Sequence, residues 1–555
     1  MEANGPLRGA AHSRDVASTP VGHRASRLSR ETSLIAPVLL GLLLCGYSVV
    51  SSTNFGGYDE WLIRSLGDRL VLSVPYANRP LNFLWTLPGG LLSPNGFTGY
   101  YVVHGLYLWL AGVLVFMVLR RLWPEVPCFA LLAASFVVTW APSDRARLST
   151  VQMTLCSGFT MSMLLAVFLL VEARWRGNRT LLVAAGATAW VTIRGYEATL
   201  PLLLVAPLLA VCVPAGGSGW PRAWWMAWAA PVALATAQAL APVLVAGGAT
   251  WYQMEHAGLD AQPPAVLSRL VHQYAGHLLP LVTSNPSELR PGRVALAVAL
   301  LVGGCALIQR FARDSAAGDA RPRRALLTIA GGLVAAGLGY GPYVLSRIGR
   351  STDRTEFVSG PGIAVALAAA AVLAARTVPP PRRWLVAAAL GAWVVAVGTG
   401  RTLAMQQYWD RHSAFPEQAA TVRDLERVAP DLRPGTLVVL VDDCHSWQTV
   451  LSFRHAVEWT YRRRATGFLW RRGLRGQLLY PTAFGTEGVR TVPWDSIQDA
   501  WGDRPTLHHY DEIVAVRRQG NCRLRLARQW PEELPPLPPG ARYAPTERIL
   551  GRTFP

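Results

Sequence analysis

Long apolar segments, separated by short polar loops, run through the first 400 residues of the chain. A transmembrane helix needs about 20 predominantly apolar residues, so segments approaching this length predict membrane spans. Residues 81–93 are apolar too, but they are short and interrupted by Pro88-Gly89-Gly90, which indicates a re-entrant or interfacial segment. The pattern predicts about 11 transmembrane helices, at residues 33–51, 98–119, 125–141, 151–171, 180–193, 196–213, 223–247, 294–309, 325–345, 361–375 and 384–400.

The apolar stretch from residue 180 to residue 213 needs two spans rather than one. As a single helix of 34 residues it would be about 51 Å long, whereas the hydrocarbon core of a bilayer is about 30 Å thick. We therefore predict two short helices that meet at Arg194-Gly195.

The pattern changes after residue 400, where helical and strand periodicities alternate. This predicts a small α/β domain with a proline-rich surface segment, PEELPPLPPG, near its end. The predicted elements are an amphipathic helix at Pro416–Ala429, a buried strand at Thr436–Val441, a helix within Trp447–Arg463, and a hairpin formed by Ile513–Val516 and Cys522–Leu526. The chain thus divides into a disordered tail at 1–32, a transmembrane domain at 33–400 and an α/β domain at 401–555.

The composition agrees with a polytopic α-helical membrane protein. Hydrophobic residues make up 51% of the 555 positions, and charged residues only 16%. The net charge of +19 is carried by arginine, as is typical of a GC-rich bacterial genome, so the basic charge does not indicate a nucleic-acid partner. We expect a multi-pass protein of the bacterial plasma membrane, with the lipid bilayer as its first partner.

The arginines predict the orientation of the chain. Arginine-rich loops face the cytoplasm by the positive-inside rule, and the N-terminal 31 residues carry five arginines, which places them inside. Each later loop that this orientation places in the cytoplasm is also basic. With 11 spans, residues 401–555 form an extracytoplasmic domain.

Charged residues in the outward-facing loops are the candidates for a functional site. Charges so close to a bilayer are costly unless they are paired or face a polar cavity. Each also has a purely structural interpretation, such as a helix-terminal carboxylate, a snorkelling arginine or a local ion pair. The candidates are Asp59, Glu60 and Arg79 in the first loop; Asp144, Arg145 and Arg147 in the second; Arg194 and Glu197 in the third; and Arg350 and Arg354 in the fifth.

Metal and nucleotide chemistry have weaker support in the sequence. His272 and His277 are five residues apart, which does not place them squarely on one helical face, and Val266–Leu279 is typical of an interfacial amphipathic helix. No Walker loop, GxGxxG, GxSxG or HExxH motif is present in the sequence. We predict no dedicated metal site, although a divalent ion beside Glu60 stays open, and any activated donor would be lipid-linked.

Cys444 and Cys522 are the two cysteines of the α/β domain. A compartment beyond the plasma membrane is oxidising, so we predict a disulfide between them. Two buried free thiols are the alternative. The other five cysteines lie in apolar segments and are interpreted as small core residues.

The first loop and its surroundings resemble the GT-C superfamily of integral-membrane glycosyltransferases, which includes protein O-mannosyltransferases and aminoarabinose transferases. The resemblance rests on Asp59-Glu60 in GYDEW, on Asn78-Arg79-Pro80, and on the acidic Asp144 in the next outer loop. It covers residues 33–400, and the short-looped helices and C-terminal outer domain agree with it.

The resemblance implies transfer of a sugar, with inversion, from a polyprenyl-phosphate donor to an acceptor hydroxyl on the outer face. Asp59 would then be the general base, with Glu60 orienting it or binding a metal, and Asp144 an accessory carboxylate. The arginines would hold the lipid phosphate, and the acceptor could be a glycan, a lipid or a protein. A transporter or flippase, a polymerase of lipid-linked saccharides, and a non-catalytic membrane scaffold stay open as alternatives.

Overall fold

The computed structural model describes residues 20–47, 60–67, 81–94, 96–148, 150–213, 222–245, 262–284, 291–312, 322–345, 354–447, 450–471, 480–495, 498 and 503–551. Seven helices in these ranges are long and apolar enough to cross a membrane. The helices are α1 (Pro20–Gly46), α2 (Glu60–Gly67), α3 (Leu87–Leu92), α4 (Thr98–Leu122), α5 (Pro127–Thr139), α6 (Thr150–Arg176), α7 (Arg179–Gly195), α8 (Leu200–Val211), α9 (Arg222–Val245), α10 (Pro263–Leu278), α11 (Pro280–Thr283), α12 (Pro291–Ala312), α13 (Pro322–Val344), α14 (Thr355–Ala374), α15 (Arg383–His412), α16 (Phe415–Val428), α17 (Val450–Thr460) and α18 (Pro545–Arg548).

Each of the 11 predicted spans overlaps a helix, and two helices begin six or more residues earlier than predicted. Helix α1 starts at Pro20 rather than at residue 33, and within its additional residues Glu31 is buried in an ion pair with Arg120, 2.7 Å from the Arg120 Nε. Helix α14 starts at Thr355 rather than at residue 361, since Glu356 accepts hydrogen bonds from another loop. Both helices therefore include acidic side chains with buried partners, outside the predicted apolar segments.

The predicted break in residues 180–213 is present. Helix α7 ends at Gly195, a 3-10 turn follows at Glu197–Thr199, and α8 begins at Leu200. The short segment predicted to be re-entrant packs against this break: Asn82 donates to the carbonyl of Gly195 at 3.2 Å, and a Cβ at Gly195 would lie 2.1 Å from the Trp85 ring. Glycine is therefore required where the two segments meet.

Ion pairs distinguish one end of the helical domain from the other. Glu31 binds Arg120, Glu172 binds both Arg121 and Arg176, and Glu125 binds Arg324. The arginines lie at the C-terminal ends of α4 and α6 and the N-terminal end of α13, and we call this end of the domain the arginine-rich end. The opposite end carries Tyr47, whose hydroxyl donates to the Tyr101 carbonyl at 3.0 Å.

This distribution leads to a prediction about orientation. If the arginine-rich end faces the cytoplasm, an alkaline phosphatase fused after residue 410 should be active, and a fusion after residue 320 should be inactive. The physical reason is that the enzyme folds only beyond the membrane, whereas basic loops stay inside. Phosphatase activity of the fusion after residue 320, together with inactivity of the fusion after residue 410, would show the opposite orientation.

The C-terminal residues form the predicted α/β domain. A four-stranded sheet has the order β3 (Ala465–Trp470), β2 (Thr436–Asp442), β7 (Ile513–Gln519), β8 (Arg523–Leu526), with β2 parallel to both neighbours. The hairpin of β7 and β8 turns through Gly520, whose φ of 62° favours glycine. The other strands are β1 (Asp431–Leu432), β4 (Thr482–Phe484), β5 (Gly488–Thr491), β6 (Thr506–His509) and β9 (Ile549–Leu550).

The predicted disulfide between Cys444 and Cys522 is confirmed, with Cα atoms 5.8 Å apart. It joins the end of β2 to the β7–β8 turn. Closing a loop between cysteines 78 residues apart reduces the entropy of the unfolded chain. In the chain-entropy account, this stabilises the folded chain by about 4 kcal/mol. The bond thus braces the edge of the domain on which the Asp442–Trp447 turn lies.

Candidate functional site

Two carboxylates from distant parts of the chain meet at the end opposite the arginine-rich end. Asp144 lies in the loop between α5 and α6 and is fully buried, and Glu356 lies in the first turn of α14 and is 5% exposed. Glu356 accepts hydrogen bonds from the backbone amide of Ser143 at 3.2 Å, from the Ser143 hydroxyl, and from the amide of Asp144 at 3.2 Å. Its carboxylate therefore fixes the backbone of the second loop.

Asp144 in turn fixes the start of the helix that carries Glu356. Its Oδ1 accepts from the backbone amide of Arg354 at 3.1 Å. Arg354 precedes α14 with a φ of 70°, an uncommon backbone conformation for a residue with a side chain. A carboxylate at a helix N-terminus satisfies an otherwise unpaired amide and is favoured by the helix dipole. The two loops are therefore held together reciprocally.

Arg147 supplies positive charge beside this pair. It is 6% exposed, and its Nη2 donates to the carbonyl of Val138 at 2.8 Å. Burial lowers the pKa of the Arg147 guanidinium from its ordinary value, and the charges of Asp144 and Glu356 oppose that shift. The guanidinium is thus held near both carboxylates at a position where its charge is poorly hydrated.

A cavity of about 30 Å³ opens beside these groups. That volume exceeds what one water molecule needs. Ser157 and Thr160 add hydroxyl groups to its wall, and the Ser157 hydroxyl is 2.9 Å from His104 Nδ1. The other wall is apolar and includes Leu108, Trp140 and Phe357. The charged and hydroxyl groups of the cavity therefore converge on one small space.

The first loop is described in part. Glu60 is 2% exposed and begins α2, and Trp61 beside it packs against the C-terminal domain. Asp59, Arg79 and Arg350 lie outside the described residues. The role predicted for Asp59 therefore stays a prediction.

The remaining candidates occupy two places. Arg145 lies with Arg147 in the 3-10 turn Arg145–Leu148, so the structure keeps both in the loop of Asp144. Arg194 and Glu197 lie at the α7–α8 break and attract each other electrostatically. Between them, the Tyr196 hydroxyl is 2.7 Å from that of Tyr343.

Glu356 is the residue that sequence reasoning missed. The stretch GRSTDRTEF supplies Arg350 and Arg354 as loop candidates, and the apolar pattern predicts a span from residue 361, whereas the helix already begins at Thr355. The signal that could have found it is an acidic residue next to a long apolar segment. His104 was missed as well, since a lone histidine inside an apolar segment carries no pattern.

No cluster of three or more histidine, cysteine or acidic residues able to hold a metal occurs among the described residues. His277 is buried, and its Nδ1 lies 2.5 Å from the Tyr340 hydroxyl. That contact links α10 to α13, as expected for a structural histidine.

No protein-family model and no curated protein matches the sequence. Among solved structures, the chain is similar to ArnT from Cupriavidus metallidurans bound to undecaprenyl phosphate, with a TM-score of 0.36 and 14% identity over 82% of this chain and 87% of that one. It is also similar to the Archaeoglobus fulgidus oligosaccharyltransferase tethered with an acceptor peptide, with a TM-score of 0.39 and 13% identity; the match covers 79% of this chain and 63% of that one.

Proposed function

We propose that the protein is a membrane glycosyltransferase that moves a sugar from a polyprenyl-phosphate donor to an acceptor hydroxyl. The observation that carries the proposal is the convergence of Asp144, Glu356 and Arg147 on one cavity at the end of the helical domain. Such a site combines carboxylates, which accept protons, with a fixed cation beside an apolar wall.

The chemistry requires two kinds of group. A carboxylate within hydrogen-bond reach of the acceptor hydroxyl acts as the general base as the sugar is transferred. The leaving lipid phosphate develops charge, and arginine offers paired donors that stabilise it. We assign the base to Asp59, an accessory role to Asp144, and phosphate binding to some of the remaining arginines: Arg79, Arg145, Arg147, Arg350 and Arg354.

Glu356 has a supporting role in this proposal. Three donors from Ser143 and Asp144 already occupy its carboxylate, so it is poorly placed to accept a proton from an acceptor. It instead holds the second loop where Asp144 and Arg147 face the cavity. We call Glu356 a positioning residue for that reason.

The distribution of buried charge favours an enzyme over a carrier. A transporter of a lipid-linked saccharide is expected to place its polar site near the bilayer midplane, between repeats. Among the described residues, the buried ion pairs of the helical domain lie at the arginine-rich end, and the buried side chains of Asp144, Arg147 and Glu356 lie together at the other end. A site at one end suits transfer at one face of the bilayer.

The test is a transfer assay on the full chain in lipid nanodiscs. With a polyprenyl-phosphate sugar and candidate glycan, lipid or peptide acceptors, the protein should release free polyprenyl phosphate and give a glycosylated product in equal amounts. Quantifying both by mass spectrometry checks the balance. Movement of the intact donor between leaflets of a proteoliposome, without its consumption, would identify a flippase and overturn the proposal.

A further inference from the structure

One tryptophan joins the C-terminal domain to the first loop. Trp61 follows Glu60 directly in α2 and is 2% exposed. Its indole Nε1 donates a hydrogen bond to Gln418 Oε1 of α16 at 2.9 Å. Four aromatic rings surround the indole at centroid distances of 5.4 to 6.1 Å, namely Phe97, Phe415, Trp447 and Trp459. Three of these four belong to the C-terminal part of the chain.

The C-terminal end of α2 contacts the same domain. Arg463 donates from Nη2 to the carbonyl of Ser65 at 2.6 Å, and the Arg64 guanidinium lies 5.6 Å from the centroid of the Trp459 ring. Helix α2 has only eight residues, and isolated helices of that length are not stable in water. Its position therefore depends on what it packs against, and here that is largely the C-terminal domain.

The surface that receives Trp61 is itself rigidly held. Gln418 Nε2 donates to the Ser446 carbonyl at 3.3 Å, and the buried Asp442 accepts from the amide of Trp447 at 3.3 Å. Two residues before Ser446, Cys444 is bonded to Cys522. Gln418, which accepts the hydrogen bond of the indole, and Trp447, which packs beside it, are thus fixed to the edge of the central sheet.

We propose that Trp61 is a positioning residue through which the C-terminal domain sets the first loop, an inference that rests on the proposed glycosyl transfer. The indole is adjacent to Glu60 and two residues from Asp59, the carboxylates placed at the reaction. Misplacement of a catalytic group by even 1 Å lowers rate without requiring loss of substrate affinity. The C-terminal domain therefore supports catalysis from outside the site.

The first variant to test is Trp61→Phe, which keeps an aromatic ring but removes the donor to Gln418. We expect kcat to fall about 3- to 10-fold, the equivalent of one neutral hydrogen bond, while the dissociation constant for the donor stays unchanged. Trp530→Phe is the matched control. It removes a like bond, from the Trp530 indole to the Pro535 carbonyl at 2.8 Å, in the same domain but away from α2, and should leave kcat unchanged.

The partner variant, Gln418→Met, separates positioning from general damage. Gln418→Met removes the acceptor of the same hydrogen bond. The double variant, with Trp61→Phe and Gln418→Met, should therefore transfer sugar no more slowly than the slower of the two single variants. Multiplied effects in the double variant, or a wild-type kcat for Trp61→Phe, would overturn the proposal.

A second measurement does not depend on transfer. Hydrogen exchange of residues 60–67 should become faster in Trp61→Phe and in Gln418→Met, and should stay unchanged in Trp530→Phe. If the wild-type protein transfers no sugar but α2 still loosens in this pattern, the proposed function fails while the docking of α2 stands. Unchanged exchange at α2 in both variants refutes the docking role itself.

Discussion

Asp59→Asn should lower the rate of glycosyl transfer by about 10²- to 10⁴-fold, the usual contribution of a general base. Asparagine keeps the shape of the side chain but loses the basic oxygen that accepts the proton. Binding of the polyprenyl-phosphate donor should change far less, since arginines are assigned to the phosphate. Steady-state kcat and a separate dissociation constant for the donor would measure the two effects.

Two further variants make this prediction specific. Asp511→Asn, at an exposed position in the C-terminal domain, is the matched control and should transfer at the wild-type rate. Arg79→Ala should show the reverse pattern, with weaker donor binding as well as a lower rate. If Asp59→Asn is nearly normal while Asp144→Asn is inactive, the base lies in the second loop. If both are normal, the enzyme hypothesis is wrong.

Glu356→Gln should slow transfer by about 10- to 100-fold through the position of the second loop. Glutamine keeps one acceptor oxygen but presents an amide donor on the other side. That donor would face either the amide of Asp144 or the donors of Ser143, all of which now point at a carboxylate oxygen. Leaving one buried donor without an acceptor costs roughly 1–3 kcal/mol, and about 1.4 kcal/mol corresponds to a tenfold change in rate.

The measurement is kcat in the nanodisc assay, together with the Tm. Glu532→Gln, at an exposed glutamate of the C-terminal domain, is the control for the same chemical change. Ser143→Ala should cause a smaller loss, because the backbone amide of residue 143 still donates to Glu356. A Glu356→Gln protein with wild-type kcat would show that the second loop does not depend on this carboxylate.

These two predictions concern residues that the sequence presented very differently. Asp59 stands in an acidic pair just after an apolar segment, a pattern that is visible without any structure. Glu356 becomes a candidate only because its carboxylate contacts Ser143 and Asp144, and the latter is 212 positions away in the chain. Sequence periodicity reports local burial, and it carries no information about which loops meet.

The sequence by itself determined the elements whose cause is local. Apolar length predicted where the membrane helices lie, Arg194-Gly195 marked the break between α7 and α8, and alternating patterns predicted the C-terminal α/β domain. The disulfide followed from having two cysteines in one predicted domain. Each of these depends on neighbouring residues or on composition, so no tertiary contact was needed.

Only the tertiary structure decided how these elements combine into a site. It buried Asp144 against the start of α14, and it seated Trp61 on Gln418, 357 positions further along the chain. It also showed that α1 and α14 continue into polar sequence, where Glu31 and Glu356 have buried partners. A buried charge is tolerated only when a partner satisfies it, and the identity of that partner is a property of the folded chain.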